Sequence, residues 1–249
     1  MNFVSSIAAK IGVRTQSSKA FGTAPQNLRA FVCSWFNFRV TVAVRVKICG
    51  ITNVKDALAA VEAGADALGF MFFEQSKRNI PPDHAAEIIV HLPTHVLKVG
   101  VFVNATEEVI RKAIDTSGID ALQLHGEESP EFCARFGNLK VVKALRVRDH
   151  SVLDDCRRYP NFAWLLDSYV AGERGGSGVT FDWDVAREAT TLNNRVILAG
   201  GLRPETVADA VRRVRPFAVD VSSGVESHPG RKDHEKIREF IRAAKSVEL

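Results

Sequence analysis

Two side chains in the sequence suggest a proton-handling pair. One is the thiol of Cys49, which follows the alternating run Val44-Arg45-Val46-Lys47-Ile48. The other is the carboxyl of Asp167, which closes the apolar run Trp164-Leu165-Leu166. Each stands where a strand pattern gives way to a loop. A free thiol titrates at about 8.5, and a positive neighbour such as Lys47 lowers that value and enriches the thiolate, a proton acceptor. A carboxyl group works as an acid only while it keeps its proton, so burial would have to raise its pKa. Taken singly, each residue has a plainer reading: Cys49 as a small packed hydrophobe, Asp167 as a helix cap or ion-pair partner. Metal chemistry is disfavoured, because Cys33, Cys49, Cys133 and Cys156 form no C-x-x-C pair and the seven histidines show no ligand spacing.

A second chemistry is anion binding. Gly200-Gly201 follows the run Arg195–Ala199, and the stretch Asp220-Val221-Ser222-Ser223-Gly224 ends the run that begins at Phe217. Successive backbone N–H groups cradle an anion where no side chain blocks its approach. A helix starting at Pro204 would add its positive end. One such loop reads as a tight strand-to-helix turn. Two of them after consecutive strands favour a phosphate.

Arg78, in Ser76-Lys77-Arg78, carries a planar fork suited to a carboxylate. A solvated loop charge is the alternative, and the commoner outcome for Lys77. His125, after Ala121–Leu124, either orients neighbours and hydrogen-bonds a ligand or is a satisfied structural histidine. The glycine-rich stretch 172–178, GERGGSG, reads as a mobile lid or as a plain linker.

The elements that must position these groups follow one another regularly. Strand patterns cover Val44–Ile48, Ala67–Phe72, Val96–Val103, Ala121–Leu124, Val141–Leu145, Phe162–Leu166, Arg195–Ala199 and Phe217–Val221. Several are apolar almost throughout, as in parallel strands covered on both faces. Helical spacing marks Val54–Ala63, Thr106–Ser117, Pro204–Val214 and Asp233–Ala244. Eight strand–helix units predict an α/β fold of the (β/α)8 TIM-barrel type, forming a single domain over 44–249. No G-x-G-x-x-G follows the first strand, which disfavours an open dinucleotide-binding sheet. In such a barrel the loops after the strands share one face, and every candidate above falls at that end.

The bulk numbers fit. The chain is 46% apolar and 25% charged, ordinary for a globular protein, and no apolar run reaches the roughly 18 residues that span a bilayer. The net charge of +4 comes from the front, since residues 1–47 hold seven basic residues and no acid. The remainder is slightly acidic, so neither a nucleic-acid nor a membrane partner is expected. Residues 1–43 read as an extension outside the fold, either an organellar transit peptide or a start placed upstream of the native one. A cytoplasmic location is expected in the second case and an organelle in the first. The scattered cysteines fit a reducing compartment.

With these residues in place, the chain resembles the phosphoribosylanthranilate isomerase family of tryptophan biosynthesis. The blocks KICGIT, SKR-x-I, VGVFV, LQLHG, GGSG, LAGGL and DVSSGVE followed by PG-x-KD occur in that family's order over about residues 44–245. The resemblance implies an Amadori rearrangement of N-(5-phosphoribosyl)anthranilate to the 1-(2-carboxyphenylamino)-1-deoxyribulose 5-phosphate. It also implies Cys49 as general base, Asp167 as general acid and Arg78 on the anthranilate end. Gly200, Gly201, Ser222, Ser223 and Gly224 fall around the phosphate, while His125 and Asp220 are candidate substrate contacts from their places at strand ends. The implied substrate is a small molecule, with no cofactor, and the protein a monomer or homodimer. The alternatives are another phosphate-binding barrel enzyme, such as indole-glycerol-phosphate synthase, or a non-catalytic sugar-phosphate-binding barrel. The first is disfavoured because its chemistry is expected to need a lysine acid and a glutamate where Cys49 stands.

Overall fold

The computed structural model describes residues 43–160, 162–168 and 183–249. Eight parallel strands close into a barrel: β1 (Arg45–Cys49), β2 (Ala67–Met71), β3 (Leu97–Phe102), β4 (Ala121–Leu124), β5 (Lys140–Val147), β6 (Ala163–Ser168), β7 (Val196–Leu198) and β8 (Ala218–Val221). β1 pairs with β2 on one side and β8 on the other, so no edge is left open. Helices alternate with the strands: α1 (Val54–Glu62), α2 (Pro82–Ile89), α3 (Glu107–Ser117), α4 (Pro130–Ala134), α5 (Val152–Arg157), α6 (Trp183–Leu192), α7 (Pro204–Val214) and α8 (His234–Lys245). After β8 a 3-10 turn, Ser223–Val225, leads into a small hairpin, β9 (Glu226–His228) and β10 (Arg231–Lys232).

Strand alternation sorts side chains into two cores. Val46, Ile48, Leu68, Phe70, Leu122, Leu124, Leu166, Leu198 and Val219 join the large core shared with the helices. The alternate positions Ala144, Leu165, Ile197, Ala199 and Ala218 form a separate small cluster, the filling of the barrel. That inner face is apolar at those positions but carries Lys47 on β1, Gln123 on β4, Asp167 on β6 and Asp220 on β8, all buried. Small neighbours make room for these long polar chains.

Local chemistry explains the helix starts. The side chains of Asn53, Thr106, Ser129 and Asp233 each accept a backbone N–H of the first turn they precede. Gly118 ends α3 in the left-handed region, at φ +73°. α2, α4, α5 and α6 are not delimited by sequence pattern. α4 and α5 have only five and six residues, too few to display a helical period. Among the described residues, no helix is long and apolar enough to cross a membrane. The 172–178 loop and residues 1–42 lie outside the described residues.

Candidate active site

Cys49 ends β1 buried, paired in register with Gly69 on β2. A Cβ on Gly69 would stand 2.7 Å from the Cys49 sulfur and 3.1 Å from Lys47 Nζ, so the missing side chain is the space that thiol and ammonium share. Lys47 Nζ donates to Asp220 Oδ1 at 2.9 Å, and both are buried. Asp220, a candidate substrate contact from its place at a strand end, is the charge partner of Lys47. Burial pushes the Cys49 thiol above its usual range; Lys47 pulls it down, Asp220 pushes it up, and Lys232 adds a smaller pull down. The expectation of a thiol lowered by Lys47 is therefore corrected. The pull exists, but removal from water outweighs it. Lys47 itself titrates higher than usual, because Asp220 and the thiol together overcome the opposing effect of burial.

Over this thiol lies a second charge cluster. Arg78 donates Nε to Glu226 Oε1 at 2.8 Å and Nη2 to Glu226 Oε2 at 2.6 Å, a bidentate pair. Lys232 Nζ donates to the same carboxylate at 2.9 Å and to the Ser222 carbonyl at 3.2 Å. Burial works against the Glu226 carboxylate, yet Arg78 and Lys232 hold its pKa below the usual range. Gly50 is the crossing point of these loops: φ is +76°, and a Cβ there would sit 2.6 Å from Arg78 Cδ and 3.0 Å from Ser222 Oγ. Arg78 thus stands beside the loop that follows Cys49, with Nε and Nη2 already engaged by Glu226.

Asp167, buried near the end of β6, stands three strands from β1 around the ring. Its Oδ2 lies 3.3 Å from His125 Nε2, and the other ring nitrogen lies 2.9 Å from Gln123 Nε2. The loop carrying His125 is held by Glu128, which accepts from the N–H groups of Asn104 and Gly126 at 2.8 and 2.9 Å. Glu128 also takes the buried ammonium of Lys143 at 2.8 Å.

The loops after β7 and β8 enclose a cavity of about 440 Å³, lined by Gly201, Leu202, Arg203, Ser223, Gly224 and Lys236, with the start of α7 in its wall. Gly200 and Gly201 both have positive φ, +81° and +66°. A Cβ on Gly224 would collide with the Leu202 carbonyl, so the two loops approach as only glycine permits. Gly201, Ser223 and Gly224 line the cavity; Gly200 shapes the turn into it, and Ser222 packs instead toward Gly50 and Lys232. Backbone N–H groups, a helix start and the cations Arg203 and Lys236 suit a dianion.

Sequence reasoning missed Gly69, Gln123, Glu226, Lys232, Arg203 and Lys236. Glu226 and Lys232 lie in the SSGVE and PG-x-KD blocks, where a signal was available; Gly69 and Gln123 acquire meaning only through register and burial.

Comparisons with known proteins converge on the reading that the residues support. The family model described as N-(5'phosphoribosyl)anthranilate (PRA) isomerase matches residues 46–243. Two curated relatives called N-(5'-phosphoribosyl)anthranilate isomerase come from Trichlorobacter lovleyi and Pelobacter propionicus. They are 52% and 54% identical over 204 residues, covering 82% of this chain and 99% and 97% of theirs. The crystal structure of phosphoribosyl anthranilate isomerase from Thermotoga maritima superposes with a TM-score of 0.78 at 46% identity, covering 82% of this chain and all of the other. Another structure of such an isomerase, in complex with reduced 1-(o-carboxyphenylamino)-1-deoxyribulose 5-phosphate, matches at 45% identity and a TM-score of 0.75, again over 82% of this chain and all of the other. With its barrel, its thiol and carboxyl at one mouth and its glycine-lined anion cavity, the chain belongs to the PRA isomerase family.

Proposed function

We propose that Cys49 and Asp167 carry out the family's rearrangement as general base and general acid. The phosphate of N-(5'-phosphoribosyl)anthranilate occupies the cavity between the β7 and β8 loops and the ribose spans the mouth. The Nη1 edge of Arg78, not used by Glu226, takes the anthranilate carboxylate. Asp167 gives its proton to the ribose ring oxygen, and the bond from that oxygen to the anomeric carbon breaks. The electron pair leaves with the oxygen and the anthranilate nitrogen becomes an iminium. The positive nitrogen acidifies the proton on the neighbouring carbon, which the Cys49 thiolate removes. The resulting enolamine takes up a proton at the anomeric carbon and releases the proton of its C2 hydroxyl, which yields the ketone, so the overall reaction is an isomerisation. Phosphate binding far from the reacting carbons supplies positioning energy without entering the chemistry.

The observation that supports this most is that thiol and carboxyl end strands on one rim, both buried, on either side of a glycine-lined anion cavity. The relative solved with a reduced product-like ligand supports the substrate class. The working unit is a monomer or a homodimer; the Thermotoga maritima relative is described as dimeric. The catalytic domain is 44–249, and the reaction takes place in the cytoplasm unless residues 1–43 address an organelle.

The test follows the substrate's anthranilate fluorescence. Cys49→Ala and Asp167→Asn are each expected to lower kcat by roughly 10²–10⁴, the usual worth of one acid–base group, while phosphate-ligand binding holds. Wild-type turnover in either variant removes the role given to that residue.

A further inference from the structure

Gln123 takes no part in the scheme above, yet its amide is buried inside the barrel, 2% exposed. Among the described residues its Oε1 has no hydrogen-bond partner. An unpartnered buried carbonyl is destabilising, and the apolar side chains Ala144, Leu165, Ile197, Ala199 and Ala218 fill other inner positions at no such cost. The single hydrogen bond of this side chain goes to the His125 ring, at 2.9 Å. An amide nitrogen only donates, so with Nε2 toward the ring His125 Nδ1 must accept. The neutral ring then carries its proton on Nε2. That nitrogen lies 3.3 Å from Asp167 Oδ2.

We propose that Gln123 is a positioning residue that fixes the Nε2–H tautomer of His125, so that the ring donates to the carboxylate left behind when Asp167 gives up its proton. The inference rests on Asp167 being the acid. In the step, the Asp167 proton moves to the ribose oxygen and the new carboxylate charge lies 3.3 Å from the ring nitrogen that carries the N–H. No proton has to be found and no ring turned. Gln123 never touches the substrate; it acts through His125. With the opposite tautomer the ring would offer Asp167 a lone pair, which would hold back the proton that must leave.

The test uses Gln123→Leu, which keeps volume and removes the donor, and Gln123→Glu, which replaces the donor with an acceptor. In histidine-labelled protein, nitrogen NMR reads the His125 tautomer directly. Gln123→Glu is expected to switch the ring to Nδ1–H. Both variants should lower kcat by tenfold to a hundredfold with KM within about twofold, as for a contact made only in the transition state. A packing residue would lower the melting temperature and leave tautomer and kcat unchanged. An unaltered tautomer in Gln123→Glu, or wild-type kcat in a folded Gln123→Leu, would overturn the proposal. Asp167→Asn in parallel keeps the two readings apart. Full turnover there fails the acid, whereas the tautomer readout still reports whether Gln123 governs the ring.

Discussion

Around Cys49, charges crowd in from β1, β8, the loop after β2 and the β9–β10 hairpin: Lys47, Arg78 and Lys232 against Asp220 and Glu226. Beside Asp167 stands the His125 ring, backed by the Gln123 amide. The thiol lies in a field of full charges and low water content, where one added or removed charge moves a pKa by units. On the carboxyl side, control passes through hydrogen-bond direction instead. The base should therefore respond to charge deletions with a sign set by the charge removed, and the acid should not.

The largest effect expected from this contrast belongs to Lys47→Met. Loss of the strongest downward pull on the thiol should raise its pKa further, lowering the thiolate fraction near neutral pH roughly tenfold or more. Alkylation of Cys49 by iodoacetamide, followed on its own peptide by mass spectrometry, should slow accordingly, and kcat should fall with it. Burial pushes Cys133 up to about 11 and Cys156 up to about 12, so those helix thiols serve as slow internal references. Because the single variant strands Asp220, Lys47→Met/Asp220→Asn controls for misfolding. The double variant should fall between wild type and Lys47→Met, because Asp220→Asn also removes an upward push. If a folded Lys47→Met alkylates like wild type, the thiol is not governed by Lys47 and the contrast fails.

Much of this site was legible in advance because its residues are marked by type. A cysteine ending a strand, an aspartate ending another, and glycines after two consecutive strands need no coordinates to be noticed. Gly69 looked like an ordinary strand residue in Leu68-Gly69-Phe70; only its register against Cys49 shows that it clears space for sulfur and ammonium. Lys47 was recognised as a charge near the thiol, but the balance between its pull and desolvation depends on burial, which a sequence does not carry. Gln123 sits inside LQLHG between two core leucines, and its partner is set by the inward face of the barrel. The strands were found almost to the residue because their apolar runs are long. Helices of five or six residues, such as α4 and α5, show too little period to be seen.

A smaller shift is expected from a second cation that acts on the thiol. Lys232 also pulls the thiol downward, by less than Lys47 does. Lys232→Met should therefore slow Cys49 alkylation about threefold to tenfold, while Arg78 keeps its hold on Glu226. An effect equal to that of Lys47→Met would mean that the thiol responds to the field as a whole rather than to ranked neighbours. No effect would remove Lys232 from the base side altogether.

The smallest expected change in activity comes from the residue that places Lys232 without touching the mouth. Asp56 on α1 accepts the Lys232 backbone N–H at 2.9 Å, Asn53 Nδ2 at 2.8 Å and His234 Nε2 at 2.8 Å, tying the hairpin and α8 to the first helix. Burial opposes its carboxylate, but the Lys232 N–H, His234 and Asn53 together hold its pKa below the usual range. Asp56→Asn should cost about 2 kcal/mol of stability in urea titration, with kcat at 25 °C within about twofold of wild type. A depressed folded pKa contributes stability that is complete above the unfolded value of about 4 and is lost as pH falls through the lower folded value. The stability gap between wild type and Asp56→Asn should therefore hold from pH 7 to about 5 and close below about 4. A large kcat loss at constant stability would place Asp56 with the charges that act on the thiol, and the base side would then extend beyond the mouth to the seam where the barrel closes.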